Sequence, residues 1–179
     1  LSASTFGYDG SKKKPSATVR SGNKTLTSGT DFTVSYSNNV NVGTASAVIT
    51  GKGNYSGSIT KEFIITPADF SKLTASLATG TFSYDGTEKK PEVTVKSGSK
   101  QLTAGTDFTV SYTDNINVGT AKAVITGKGN YSGTITKSFK ITQADLSKFT
   151  ASLSVDSFIY DGAEKKPEVT VKSDNAQLT

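Results

Sequence analysis

The chain has 179 residues and contains no His, Cys, Met or Trp, which excludes imidazole acid–base catalysis, thiol nucleophiles, disulfides, Cys/His zinc sites and haem ligation together. Hydrophobic residues make up 34% and charged residues 20%, whereas Ser and Thr together number 51. That balance excludes a disordered chain and predicts a β-rich globular array. The net charge of +5 comes from lysines spread along the whole length, a pattern of solubility that predicts no nucleic-acid partner.

No apolar run approaches the roughly 18 residues of a membrane span, so no membrane insertion is expected. No signal peptide opens the chain, which carries no weight in a fragment. Zero Cys beside abundant Thr, Ser, Gly and Lys points to an extracellular, bacterial cell-surface setting, because eukaryotic extracellular modules of this size often carry disulfides.

Tyr8-Asp9-Gly10 recurs as Tyr84-Asp85-Gly86 and Tyr160-Asp161-Gly162, at two intervals of 76 residues. Residues 1–76 and 77–152 are identical at 54 of 76 positions, and the block from Ala47 to Gly57 returns unchanged as Ala123 to Gly133. Such similarity at a fixed period marks a tandem array. The period is longer than that of solenoid repeats, so each unit is expected to hold its own small core. The spacing divides the chain into a first unit (1–66), a complete second unit (67–142) and a truncated third (143–179).

Through the second unit the elements run as follows. Phe82-Ser83-Tyr84 leads into the Asp85-Gly86 turn. Pro91 opens a strand in which Val93 and Val95 share a face. Ser97-Gly98 and Ala104-Gly105 are turns. In Asp107 to Tyr112, Phe108, Val110 and Tyr112 alternate with polar residues. Ala121 to Thr126 is a strand with less cleanly separated faces, and Gly127 to Asn130 a further turn. Thr134 to Ile141 alternate again, with Ile135, Phe139 and Ile141 on the apolar parity. With no 3.6-residue period anywhere, these strands predict an all-β fold of tandem immunoglobulin-like β-sandwich repeats. A grasp-like antiparallel sheet is the alternative. Phe32/Phe108, Val34/Val110, Tyr36/Tyr112, Phe63/Phe139 and Ile65/Ile141 are expected to be mostly buried, and Thr33/Thr109 and Ser35/Ser111 to face out. The units are joined at Thr66-Pro67-Ala68-Asp69 and Thr142-Gln143-Ala144-Asp145. These short joints predict semi-rigid neighbours that touch only near residues 66–69.

The order Tyr84-Asp85-Gly86, Lys89-Lys90-Pro91, Gly105 to Tyr112, Asn117 to Ala121 and Gly127 to Gly133 resembles the YDG- and MBG-type repeats of large bacterial cell-surface, adhesin-like proteins. The resemblance covers essentially the whole chain. It implies a Gram-positive or related surface array that acts as a stalk, a spacer or an adhesive module, and it brings no catalytic motif.

Candidate sites are few. Tyr84, Asp85, Lys89 and Lys90 are candidate ligand contacts, because Tyr and Asp recur in carbohydrate sites and lysines grip anionic polymers. A strand end with a solvated loop before Pro is the competing reading. Asp31 and Asp107 lack calcium-loop spacing, so neither metal nor cofactor is expected. Glu88 and Glu92 are replaced by Lys12 and Ser16 in the first unit, which speaks against paired-carboxylate catalysis and any enzymatic role. Gly51-Lys52-Gly53 is too short for a phosphate loop. The Asn54-Tyr55-Ser56 and Asn130-Tyr131-Ser132 acceptor patterns carry no meaning in a bacterial protein. Lys61 and Lys137 fall on the apolar parity of the last strand. They are candidates for an intramolecular Lys–Asn cross-link, or for edge positions whose stems reach out to water.

The expected function is a structural stalk or fibre acting as a semi-rigid spacer. The alternative is an adhesin module that binds host or cell-wall glycan. Leu1 aligns with Leu77 and Leu153, so the first unit lacks the counterpart of Ala68–Ser76, and the third stops at Thr179. An isolated pair of strands is marginal in water. The third unit is therefore expected to pair with another copy of the chain, covering Val169 and Val171.

Overall fold

The computed structural model of the chain describes residues 1–173, 176 and 177; Asp174, Asn175, Leu178 and Thr179, at the end of the third unit, lie outside the described residues. The all-β expectation holds. Apart from two single turns of 3-10 helix, Phe70–Lys72 and Leu146–Lys148, every regular element described is a strand. No helix among the described residues is long and apolar enough to cross a membrane.

The first unit contains β1 (Thr5–Gly7), β2 (Arg20–Ser21), β3 (Lys24–Thr25), β4 (Phe32–Ser37), β5 (Gly43–Gly51) and β6 (Ser58–Thr66). The second repeats these and adds an opening segment. It comprises β7 (Ala68–Asp69), β8 (Thr74–Leu77), β9 (Thr81–Ser83), β10 (Val93–Ser97), β11 (Lys100–Gln101), β12 (Phe108–Thr113), β13 (Gly119–Gly127), β14 (Tyr131–Ser132) and β15 (Thr134–Thr142). The third has β16 (Thr150–Leu153), β17 (Val169–Ser173) and β18 (Ala176–Gln177).

In the second unit one sheet has the order β12-β13-β15-β9 and the other β11-β10-β8. The chain leaves β8 in one sheet, joins the other as β9, and returns as β10. β9 runs parallel to β15, with Phe82 opposite Ile141; β12, β13 and β15 are antiparallel. The first unit repeats the larger sheet as β4-β5-β6-β1 in the same register.

Period-2 alternation decides which side of each strand is buried. Phe108 is buried and Val110 and Tyr112 are half-buried, while Thr109 and Ser111 are exposed. Phe32 to Ser37 repeats the pattern. In β13 the alternation proves clean: Ala121, Ala123 and Ile125 are buried. The two alanines are small because Ala121 lies opposite Phe139 and Ala123 opposite Tyr112 across the ladders. Both sheets of the second unit contribute to one core, with Ala75 and Val95 from one and Phe108 and Ile125 from the other. Phe70, fully buried, sits at its centre beside Leu102 and Tyr131.

Among its described residues the third unit has the smaller sheet alone. Its register, Thr150 opposite Lys172 and Leu153 opposite Val169, copies that of β8 on β10. The strands thus pair with one another in a three-stranded sheet, not as an isolated pair. Within the single chain Val169 is exposed and Val171 half-buried.

Candidate functional site

The repeated Tyr-Asp-Gly and Lys-Lys-Pro motifs fold onto each other. After β9, Asp85 Oδ1 accepts hydrogen bonds from the Thr87 backbone N–H (2.9 Å) and hydroxyl (2.6 Å). Gly86 takes a positive φ of 77°, which its missing side chain permits. The turn aims Asp85 at the ammonium of Lys89, four residues on, and the two form an ion pair. Lys89 is only 8% exposed, so that partner offsets the desolvation of its charge. The Lys89 ammonium also donates to the Thr87 hydroxyl at 2.9 Å. These contacts, led by the Lys89 and Thr87 side chains, hold the Asp85 carboxyl well below the usual carboxylate range.

A second layer pins the loop to the β12–β13 connection. Lys89 N–H donates to Asn115 C=O (2.7 Å), and the Asn115 side-chain amide donates back to Lys89 C=O (3.0 Å). The Tyr112 hydroxyl donates to Pro91 C=O at 2.6 Å. The first unit repeats the arrangement with Asp9, Ser11, Lys13, Asn39, Tyr36 and Pro15. Of the candidate ligand contacts, Asp85 and Lys89 are therefore engaged with each other. Lys90 is exposed and paired with Glu88, and Tyr84 is exposed at the rim.

Tyr8, the counterpart of Tyr84, has a different neighbour. It packs against the cores of both units at once. Its ring meets that of Tyr131 edge-on, with centroids 5.5 Å apart and planes at 81°. Beside it, the Val42 N–H donates to Asn130 Oδ1 (2.8 Å), and the Asn130 amide donates to Asn41 Oδ1 (3.1 Å). The Asn130 C=O in turn accepts from the Ala68 N–H at 3.0 Å, where β7 runs parallel to β14. A small cavity of about 150 Å³ remains between Tyr8, Asp9, Gly10, Ala68, Ser97, Lys100 and Tyr131. Burial pushes the Tyr131 phenol up.

The joint therefore does not rest on residues 66–69 alone, as the short linker predicts. Loops from the facing ends of both units close over it because β7 starts two residues after β6 and brings the β4–β5 connection against β14. Asn41, Val42, Asn130 and Tyr131 are the joint residues that sequence reasoning missed. The available signal was the retention of Asn117-Val118 and of Asn54-Tyr55 in the other copies.

The remaining candidates have local roles. Asp31 and Asp107 accept the Thr27 and Thr103 N–H groups at 2.8 and 2.9 Å. Lys52 and Lys128 donate to the Gly29 and Gly105 carbonyls at 2.8 and 2.9 Å. Lys61 lies opposite Ala47 and is exposed, and Lys137 lies opposite Ala123 and is half-buried. Among the described residues neither lysine has an Asn side chain as hydrogen-bond partner, and no cluster of three acidic side chains is arranged to hold a metal ion.

No protein-family model matches the chain, and no curated protein or solved structure matches it significantly.

Proposed function

We propose that the chain is a semi-rigid, non-enzymatic spacer built from tandem immunoglobulin-like β-sandwich units, part of the stalk or fibre of a bacterial cell-surface or extracellular protein. One observation carries the reading: the most strongly repeated side chains are spent on fixing each loop to its own unit and the first unit to the second. Tyr8, Asn41, Val42, Asn130 and Tyr131 join two units across 88 to 123 residues of sequence. Two facing sheets with an edge strand that switches between them support the immunoglobulin-like architecture. The order of motifs, which resembles YDG- and MBG-type repeats, supports the surface setting.

An adhesive role would have to use the exposed Tyr84 and Lys90, since Lys89 is buried and paired with Asp85. A glycan array probed with the chain tests the choice. The spacer reading expects no saturable binding. Micromolar binding that Tyr84→Ala and Lys90→Ala abolish would assign the chain to adhesion instead.

A further inference from the structure

The chain has neither Cys nor Met, the usual sinks for an oxidant, and neither Trp nor His. Its seven tyrosines are therefore the most readily oxidised side chains it has. Their surroundings differ. Tyr36 and Tyr112 each donate a 2.6 Å hydrogen bond to a proline C=O, and Tyr55 lies under the Lys24 ammonium. Tyr84 and Tyr160 are exposed. Among the described residues Tyr8 and Tyr131 are the one pair of tyrosines whose rings meet.

That pair spans the joint, with Tyr8 in the turn after β1 and Tyr131 in β14. The Tyr131 phenol is buried and lies beside the hydroxyls of Tyr8 and Ser97. With the two phenol oxygens together, the ring carbons next to them are close as well. The rings meet edge-on, 5.5 Å between centroids. The cavity of about 150 Å³ beside them leaves the half-buried Tyr8 ring room to turn its face towards Tyr131.

The repeats also retain the hydroxyl. Tyr stands at 8, 84 and 160, and again at 55 and 131, whereas a position that only fills space changes between copies, as Phe70 does to Leu146. A phenylalanine would give the same edge-on ring contact without the phenol.

We propose that Tyr8 and Tyr131 form a modification site, where a haem peroxidase using hydrogen peroxide joins the two rings as a dityrosine. Tyr8, the more exposed ring, is oxidised first. Each phenol gives up one electron and its hydroxyl proton. The two phenoxyl radicals couple through the carbons ortho to oxygen, forming one C–C bond. The hydrogens on those two carbons then move to the oxygens and restore both phenols. The two electrons and two protons reduce one hydrogen peroxide to two waters. The new bond ties the first unit to the second covalently, where the Asn130 hydrogen bonds already orient them. The site follows from the joint alone and stands whether the array is a spacer or an adhesin.

Treatment of the dilute full chain with a haem peroxidase and hydrogen peroxide, read by intact mass and tryptic mapping, tests the site. A monomer lighter by two hydrogen atoms is expected, with residues 1–12 joined to residues 129–137 and the blue fluorescence of dityrosine. Tyr84→Phe with Tyr160→Phe should leave that product in place, since both rings are remote from the contact. Tyr8→Phe, and separately Tyr131→Phe, keep the packed ring and should abolish it. Unfolding the chain in denaturant before oxidation should abolish it too. A native chain in which Tyr84 and Tyr160 react while Tyr8 and Tyr131 stay intact overturns the proposal. So does a Tyr8–Tyr131 link that forms equally in the unfolded chain, or coupling of Tyr8 chiefly to other tyrosines.

Discussion

Lys89 exemplifies how one residue can hold two segments at once. Its ammonium is paired with Asp85 and Thr87, and its backbone is bonded in both directions to Asn115. Asn115→Ala removes the buried donor to Lys89 C=O. It should destabilise the second unit by about 1–3 kcal/mol, the cost of an unsatisfied buried carbonyl, as read by chemical denaturation. The Asp85–Lys89 and Asp9–Lys13 pairs also set an acid limit. Both carboxyls are depressed below the ordinary value of 3.8 by their lysine partners first and their hydroxyl partners second. A depressed carboxyl contributes stability that is complete above the unfolded-state pKa and is lost as pH falls through the folded one. Stability from these pairs should therefore be constant from neutral pH to about 4 and decline below it. In Asp85→Asn with Asp9→Asn, that acid-side slope should be shallower in a denaturation series against pH.

At the scale of the strand, two nearly identical sequences sit in unequal surroundings. β4–β5 and β12–β13 share their apolar residues, but only the second pair is closed over by Phe70. Hydrogen exchange should therefore be faster at Ile49 than at Ile125, a comparison in which side-chain identity cancels. Phe70→Ala should cost the second unit about 3–5 kcal/mol and bring the Ile125 amide towards the exchange rate of Ile49. Equal exchange at the two isoleucines in the native chain would show that Phe70 does not protect the β12–β13 ladder.

Much of this level is legible from sequence. The alternation of Phe108, Val110 and Tyr112 with Thr109 and Ser111 reports the buried face directly, and Asp85-Gly86 reports its turn. The parallel edge pairs are not legible, because Thr5–Gly7 and Thr81–Ser83 are three residues long and carry no periodicity. The joint escaped for another reason: Tyr8 in sequence looks like a strand-end tyrosine, and its second partner lies 123 residues away. The burial of Lys89 is hidden in a Lys89-Lys90 pair before a proline, which reads as a solvated loop. The spacing of Asp9 to Lys13, Asp85 to Lys89 and Asp161 to Lys165, four residues in each unit, was the usable signal.

At the scale of the molecule the account rests on a joint that holds consecutive units at one angle and one distance. The edge-on contact of Tyr8 with Tyr131 is of a kind that contributes about 0.5–1.5 kcal/mol beyond its buried area, and the Asn130 bonds add direction. With no native Cys, spin labels can be placed at the exposed, equivalent positions Ser35→Cys and Ser111→Cys, in chain diluted with unlabelled protein. The distance distribution between them reads the joint directly. A fixed joint predicts a single narrow peak at about 35–45 Å, the length of a nine-residue strand at 3.3 Å per residue with its loops. The peak should broaden when Tyr8→Ala and Asn130→Ala are introduced together. A broad distribution in the native chain, unchanged by those substitutions, would contradict the account.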